Sequence, residues 1–148
     1  MNYVTLGKTG LKASAISFGG IPIQRSDAAN TMAVVDKLEE YGINYIDTAR
    51  GYTVSEEYLG AALEGRRDKF ILATKSMSRD KASMAQDVET SLKNLRTDHI
   101  DLYQLHNLLE KDIERVFGPD GAYEALAEAK AAGKVGHIGV TCHSADAM

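Results

Sequence analysis

Four polar side chains stand where apolar segments of the chain end. Asp47 ends one such segment and Tyr52 follows it in the next loop, while Lys75 and His106 end the two segments after that. In a parallel array of strands and helices, functional residues gather at the carboxyl ends of the strands. We therefore expect these four side chains to lie close together.

The four residue types suit the reduction of a carbonyl group. A tyrosine has an ordinary pKa near 10, and a nearby ammonium such as that of Lys75 would lower this pKa. A carboxylate from Asp47 would keep the lysine charged and oriented, and a histidine can orient a carbonyl oxygen or assist a proton relay. Protein side chains cannot deliver hydride, so this chemistry implies a nicotinamide cofactor.

Each of these residues also has an ordinary structural explanation. Asp47 could cap a helix or form a turn, and Tyr52 could be an amphipathic loop residue. Lys75 could mark the point where a strand reaches the surface, and His106 could be a satisfied core histidine. Taken one at a time these explanations are the commoner outcome, but four such residues at equivalent strand ends favour a site.

The elements that must position these residues alternate between strand and helix. Strands are predicted over residues 16–20, 44–48, 70–74, 100–105 and 135–141. Four helices are predicted between them, with apolar faces formed in turn by Val34, Val35, Leu38 and Tyr41; by Leu59 and Leu63; by Met84, Val88, Leu92 and Leu95; and by Tyr123, Leu126 and Ala127. Asp27 or Ser26 is predicted to cap the first helix and Ser55 the second. This order indicates an α/β protein with a parallel sheet.

Two architectures fit this alternation, an open doubly wound sheet and a closed (β/α)8 barrel. The first predicted strand ends with Gly19-Gly20, and Ile21-Pro22 follows. This run lacks the G-x-G-x-x-G pattern, which argues against a dinucleotide-binding Rossmann unit. Ahead of the alternation, residues 3–14 predict a small β-hairpin around Gly7 and Gly10.

Composition narrows the function classes. The 148 residues carry a net charge of −4. A nucleic-acid-binding surface would need a basic excess, so this charge argues against nucleic-acid binding. No apolar run approaches a membrane span, and the first ten residues lack the pattern of a signal peptide. Cys142 is the single cysteine, so no internal disulfide and no zinc ribbon is expected. We expect a cytoplasmic protein without a metal site, whose partner is a small-molecule carbonyl substrate.

Several motifs resemble those of the aldo-keto reductase family, in the same order along nearly the whole chain. The matching segments are residues 7–12 (GKTGLK), 44–52 (NYIDTARGY), 55–60 (SEEYLG), 70–75 (FILATK), 95–106 (LRTDHIDLYQLH) and 133–140 (GKVGHIGV). The resemblance implies a (β/α)8 TIM barrel whose bottom is plugged by the hairpin. It also implies NADPH, or less often NADH, bound without a Rossmann fold.

The resemblance assigns roles to individual residues. It implies that Tyr52 is the general acid, that Lys75 lowers the pKa of Tyr52, that Asp47 pairs with Lys75, and that His106 orients the substrate carbonyl. The cofactor-binding residues that it implies are Gly20, Ile21, Asp47, Thr141 and His143. Many family members have Ser-Asn at the end of the fifth strand, where this chain has Thr141-Cys142.

The length of the chain predicts an incomplete barrel. Eight strand-helix units need about 250 residues, whereas this chain provides about five strands and four helices before a further helix begins near Ser144. We expect a single domain, with the hairpin at residues 3–14 and strand-helix units over residues 16–148, and little or no reductase activity from this piece alone. The alternatives are a non-catalytic, cofactor-binding barrel that regulates a partner, and a half-barrel that dimerises.

Overall fold

A parallel sheet forms the centre of the computed structural model, which describes residues 1–144. Its five strands lie side by side in chain order and are β3 (Phe18–Gly19), β4 (Tyr45–Asp47), β5 (Ile71–Ser76), β6 (Ile100–Leu105) and β7 (Val135–Val140). All four neighbouring pairs are parallel. The predicted parallel α/β organisation is confirmed, although β3 has two residues and β4 three where five were expected in each. All five strands therefore present their carboxyl ends at the same edge of the sheet.

The predicted hairpin precedes the sheet. It consists of β1 (Tyr3–Thr5) and β2 (Lys12–Ser14), which pair antiparallel with Val4 opposite Ala13. Asn44, just before β4, joins the hairpin to the sheet: its Oδ1 accepts from the Ser14 N–H at 2.7 Å and its Nδ2 donates to the Lys12 carbonyl at 2.9 Å. The hairpin thus contacts the amino end of β4, away from Asp47.

Within residues 1–144, five α-helices connect the strands. They are α1 (Ala28–Glu40), α2 (Ser55–Ala62), α3 (Lys81–Leu95), α4 (Ile113–Phe117) and α5 (Ala122–Ala131). As predicted, Asp27 caps α1, accepting from the Asn30 N–H at 2.7 Å. Helix α4 was not predicted, and the helix expected after Ser144 falls at 145–147, outside the described residues. Among the described helices, none has the length and apolar character that crossing a membrane requires.

The hydrophobic core lies between the helices and one face of the sheet. The predicted apolar residues of α3 are all buried in it, as are Val35, Leu38, Leu59, Leu63 and Leu126. The prediction that Tyr41 and Tyr123 belong to the apolar helix faces is wrong, because Tyr41 is 62% exposed and Tyr123 is 43% exposed. Tyr41 lies one residue beyond the end of α1 and so leaves its apolar face. Tyr123, in the first turn of α5, packs instead against Phe117 with ring centroids 5.3 Å apart.

Candidate active site

The carboxyl ends of β4, β5 and β6 bring the candidate residues together. In the sheet register, Asp47 pairs with Ala73, and Lys75 pairs with Gln104. Side chains alternate between the two faces of a strand. Thr74 and Tyr103 point to the helix side, where both are fully buried. Lys75 and Gln104 therefore share the opposite face with Asp47.

An ion pair between Lys75 and Asp47 lies at the centre of this group. The Lys75 side chain is 6% exposed, and its Nζ donates to Asp47 Oδ1 and, at 2.6 Å, to the carbonyl of Thr48. The second oxygen of Asp47 accepts from Gln104 Nε2 at 3.2 Å. A buried ammonium needs such a partner to remain charged, so the pairing expected from the sequence is present.

The Tyr52 ring lies beside this ion pair. Lys75 Nζ is 5.0 Å from the ring centroid, and the His106 ring meets the Tyr52 ring edge to face at a centroid distance of 5.9 Å. Burial, together with the Asp47 carboxylate, raises the pKa of Tyr52 above its ordinary value. Burial and Asp47 together set the direction of this shift, and the expected lowering of the pKa by Lys75 stays a prediction. The phenol is therefore protonated at neutral pH and can donate its proton.

The surroundings of His106 favour its neutral form. Burial, followed by the charge of Lys75, lowers the pKa of the imidazole below its ordinary 6.5. Its Nδ1 atom is buried and has no hydrogen-bond partner among residues 1–144. A neutral imidazole carries one N–H donor. The ring is therefore suited to donate a hydrogen bond to an uncharged oxygen such as that of a carbonyl group.

The backbone around His106 is fixed by hydrogen bonds from three other segments. The His106 N–H donates to the Ser76 carbonyl at 2.8 Å, and Asn107, at a positive φ of 49°, donates its N–H to Thr141 Oγ1 at 2.9 Å. Arg79 Nη2 donates to the carbonyls of both His106 and Asn107 at 2.9 Å. Thr141, predicted as a cofactor residue, therefore also helps to hold the turn that carries His106.

The remaining predicted cofactor residues lie at the same edge of the sheet. The Gly20 N–H donates to the Asp47 carbonyl at 2.7 Å, and a Cβ at Gly20 would lie 2.8 Å from Ser55 Oγ, which only glycine avoids. Ile21 follows at the surface and is 55% exposed. His143 is exposed, and its charge contributes to the low pKa of His106.

Comparison with known proteins identifies the family. The model of the Aldo/keto reductase family matches residues 15–148. The aldo-keto reductase YhdN of Bacillus subtilis is 33% identical over the full chain, which covers 49% of that relative. An aldo-keto reductase of Bacillus halodurans in its holo form superposes with a TM-score of 0.84 at 34% identity, over 96% of this chain and 50% of that one. This chain belongs to the aldo/keto reductase family.

The family assignment confirms the resemblance seen in the sequence, and it places the parallel sheet within the barrel of these reductases. A Klebsiella pneumoniae aldo/keto reductase, solved in complex with NADP and acetate, matches with a TM-score of 0.80 at 27% identity, over 93% of this chain and 49% of that one. The chain spans about half the length of the curated relatives it matches.

Ser55 does not have its predicted role as a helix cap. The N-cap position of α2 belongs to Val54 and has no side-chain hydrogen bond. The Ser55 hydroxyl is fully buried, lies 2.8 Å from Thr48 Oγ1 and donates to the Gly20 carbonyl at 3.1 Å. It therefore ties α2 to the ends of β3 and β4, beside the site.

Two contributors to the site were missed by sequence reasoning. Gln104 lies on β6, two residues before His106, which directly follows the strand, so the two-residue period of a strand predicts the same face for both. Glu56 is 1% exposed and lies three residues before Leu59 on α2. That spacing places Glu56 on the buried helix face and could have predicted its burial.

Proposed function

We propose that this chain carries the active-site residues of an enzyme that reduces an aldehyde or a ketone to an alcohol with NADPH or NADH. The observation that carries the proposal is the convergence of Tyr52 and His106 beside the Lys75–Asp47 ion pair. A phenol and a neutral imidazole then face the same space with a buried cation next to them. This arrangement suits a carbonyl oxygen on which negative charge develops.

In this proposal Tyr52 donates its phenol proton to the carbonyl oxygen. The raised pKa keeps the proton on the phenol until the oxygen becomes more basic during reduction. The phenolate that remains is stabilised by Lys75, whose ammonium lies 5.0 Å from the ring centroid. Asp47 holds Lys75 in place, and His106 orients the substrate through a hydrogen bond to the same oxygen.

The residues at this edge of the sheet fit a nicotinamide carboxamide, which needs both hydrogen-bond donors and acceptors. Thr141 Oγ1 accepts from the Asn107 N–H, and a hydroxyl that accepts one bond can still donate another. The His143 ring is a second possible donor, and the Asp47 carboxylate is an acceptor. Gly20 and Ile21 complete the proposed cofactor contacts. When bound, the cofactor supplies the hydride that reduces the carbonyl carbon.

The proposal is tested by following oxidation of NADPH in the presence of an aromatic aldehyde. Two polypeptides are assayed: the chain itself, for which we propose little turnover, and the chain joined to the second half of the Bacillus halodurans relative. Tyr52→Phe should abolish turnover in the joined protein, while Tyr41→Phe, at an exposed position, should retain it.

Three results would contradict the proposal in different ways. A folded joined protein that binds NADPH without reducing any aldehyde or ketone would refute the reductase function. Full activity of Tyr52→Phe would refute its role as proton donor. Rapid turnover by the chain alone would refute the proposed low activity of this piece.

A further inference from the structure

A buried carboxylate lies behind Lys75, on the helix side of β5. Glu56 on α2 is 1% exposed and accepts hydrogen bonds from Thr74 Oγ1 at 2.7 Å and from Ser91 Oγ at 2.8 Å. Its charge is balanced by Arg50, whose Nη1 donates to Glu56 Oε2 at 2.6 Å. Removing one member of such a buried pair is costly because the other is left uncompensated.

Arg50 also approaches a second carboxylate. Its Nε lies 3.6 Å from Asp87 Oδ1 on α3, within ion-pair range though too far for a hydrogen bond. Asp87 Oδ2 accepts from the hydroxyls of Ser76 and Ser78. Thr74 and Ser76 are the two neighbours of Lys75 in β5. Each neighbour therefore donates to a carboxylate that Arg50 faces.

The backbone of Arg50 makes a third connection to the same strand. Its N–H donates to the carbonyl of Lys75 at 2.9 Å. The loop then turns through Gly51, and the Tyr52 N–H donates to the Ala49 carbonyl at 3.0 Å. Arg50 is thus attached to β5 by its backbone and to the carboxylates behind β5 by its side chain, two residues before Tyr52.

We propose that Arg50 is a positioning residue, which holds the Tyr52 loop in register with Lys75 through the buried carboxylates of Glu56 and Asp87. The proposed function enters only in giving Tyr52 the role of proton donor. Movement of the loop away from β5 would leave Glu56 buried without its cation, so the electrostatic cost of that movement keeps the Tyr52 ring beside Lys75 and His106.

The test measures the Tyr52 ring directly, by nuclear Overhauser effects to the His106 ring in the intact chain. Tyr52→Phe assigns the phenol signals. The double variant Arg50→Met/Glu56→Gln removes both charges, while the glutamine oxygen can still accept from Thr74 and Ser91. Arg96→Met is the matched control, because Arg96 pairs with Glu64 through exposed side chains.

In the folded double variant, we expect the contacts between the Tyr52 and His106 rings to weaken several-fold and the pKa of Tyr52 to move towards 10, as the ring becomes more hydrated. Both readouts should remain unchanged in Arg96→Met. A double variant with a lower melting temperature but unchanged ring contacts and phenol titration would overturn the proposal, because Arg50 would then serve stability alone.

A second variant decides the matter if the double variant does not fold. Arg50→Lys retains one charge for Glu56 but has only a single nitrogen, so we expect a folded chain in which the Tyr52–His106 contacts are weakened. Unchanged contacts in Arg50→Lys would overturn the proposal.

A kinetic measurement adds a second readout. In an active joined reductase, the Arg50→Lys substitution should lower kcat while KM for the aldehyde is retained. Absence of turnover in the unsubstituted joined protein would count against the proposed function and leave the ring measurement valid.

Discussion

The ammonium of Lys75 lies over the face of the Tyr52 ring, 5.0 Å from its centroid, while its hydrogen bonds go to Asp47 and to the Thr48 carbonyl. The cation is therefore close to the ring, yet its charge is largely matched by a carboxylate. The pKa of the phenol is nevertheless raised, because burial and the Asp47 carboxylate act in the opposite direction to the ammonium.

The first prediction concerns the titration of Tyr52. Burial and the Asp47 carboxylate both raise its pKa, so the phenol should titrate above 10. Asp47→Asn removes the negative charge and leaves that of Lys75, so the pKa should fall. The measurement is a pH titration by NMR with tyrosine labelled at Cζ, with Tyr52→Phe as the assignment control. A Tyr52 pKa below 10 in the unsubstituted chain would contradict this account.

The second prediction concerns the stability of the ion pair. Asp47→Asn leaves the Lys75 ammonium, which is 6% exposed, without its anion. Loss of one partner of a buried pair costs about 3–5 kcal/mol. Because the Asp47 side chain is 29% exposed, water offsets part of this cost, and we expect a loss of about 1–3 kcal/mol of unfolding free energy. Urea denaturation followed by circular dichroism measures it.

A double-mutant cycle isolates the interaction. Asp47→Asn/Lys75→Met removes both charges and should recover part of the lost stability, giving a coupling free energy of about 1–3 kcal/mol. The same cycle at Lys37 and Glu40, which are 64% and 56% exposed, should give a coupling close to zero. Equal coupling energies in the two cycles would show that the Lys75–Asp47 pair behaves as a surface ion pair.

The third prediction concerns the pH dependence contributed by His106. Burial and the charge of Lys75 lower the pKa of this imidazole. A histidine whose folded pKa is depressed contributes stability above its unfolded pKa of about 6.5, and this stability is lost as the pH falls through the folded value. His106→Gln should therefore lose less unfolding free energy than the unsubstituted chain as the pH falls from about 7 to about 5.

His99 provides the control for this measurement. It precedes β6, at the opposite end of the strand from His106, and its side chain is 42% exposed. His99→Gln should retain the pH dependence that His106 contributes. If His106→Gln and the unsubstituted chain had the same pH profile, the low pKa of His106 would be refuted.

Local sequence patterns predicted much of the fold. Four of the six residues in the segment 100–105 are apolar, and β6 has the bounds that were predicted for this strand. The helical spacing of Met84, Val88, Leu92 and Leu95 predicted the buried face of α3. Helix α4 could not be predicted in this way, because five residues are too few to establish a helical period.

The site was predictable only in outline. Strand alternation placed Asp47, Lys75 and His106 at one edge of the sheet, and the structure brings them together there. The contacts of Arg79 with the His106 and Asn107 carbonyls span 27 and 28 residues and have no local signal. The pKa of Tyr52 depends on the balance between burial, Asp47 and Lys75, which only their arrangement in space determines.

The fourth prediction concerns Gly60, where α2 crosses α3. A Cβ at this position would lie 2.1 Å from the Asn94 carbonyl oxygen and 2.8 Å from Leu95 Cα, and these backbone atoms cannot move aside as a flexible side chain can. Alanine is ordinarily favoured over glycine within a helix by about 1 kcal/mol. We nevertheless expect Gly60→Ala to lower the unfolding free energy by about 1–3 kcal/mol, because α2 must move away from α3. That movement would also lengthen the hydrogen bond from Ser91 to Glu56, one turn earlier on α2.

Gly19→Ala is the matched control for this crossing, because nothing lies within 4 Å of the Cβ it would add. Its unfolding free energy should stay within about 0.5 kcal/mol of that of the unsubstituted chain. Urea denaturation of both variants measures the difference, and amide hydrogen exchange in α2 reports the displacement of the helix. A Gly60→Ala chain as stable as Gly19→Ala would contradict the close approach of the two helices, and with it the packing that places Glu56 behind Lys75.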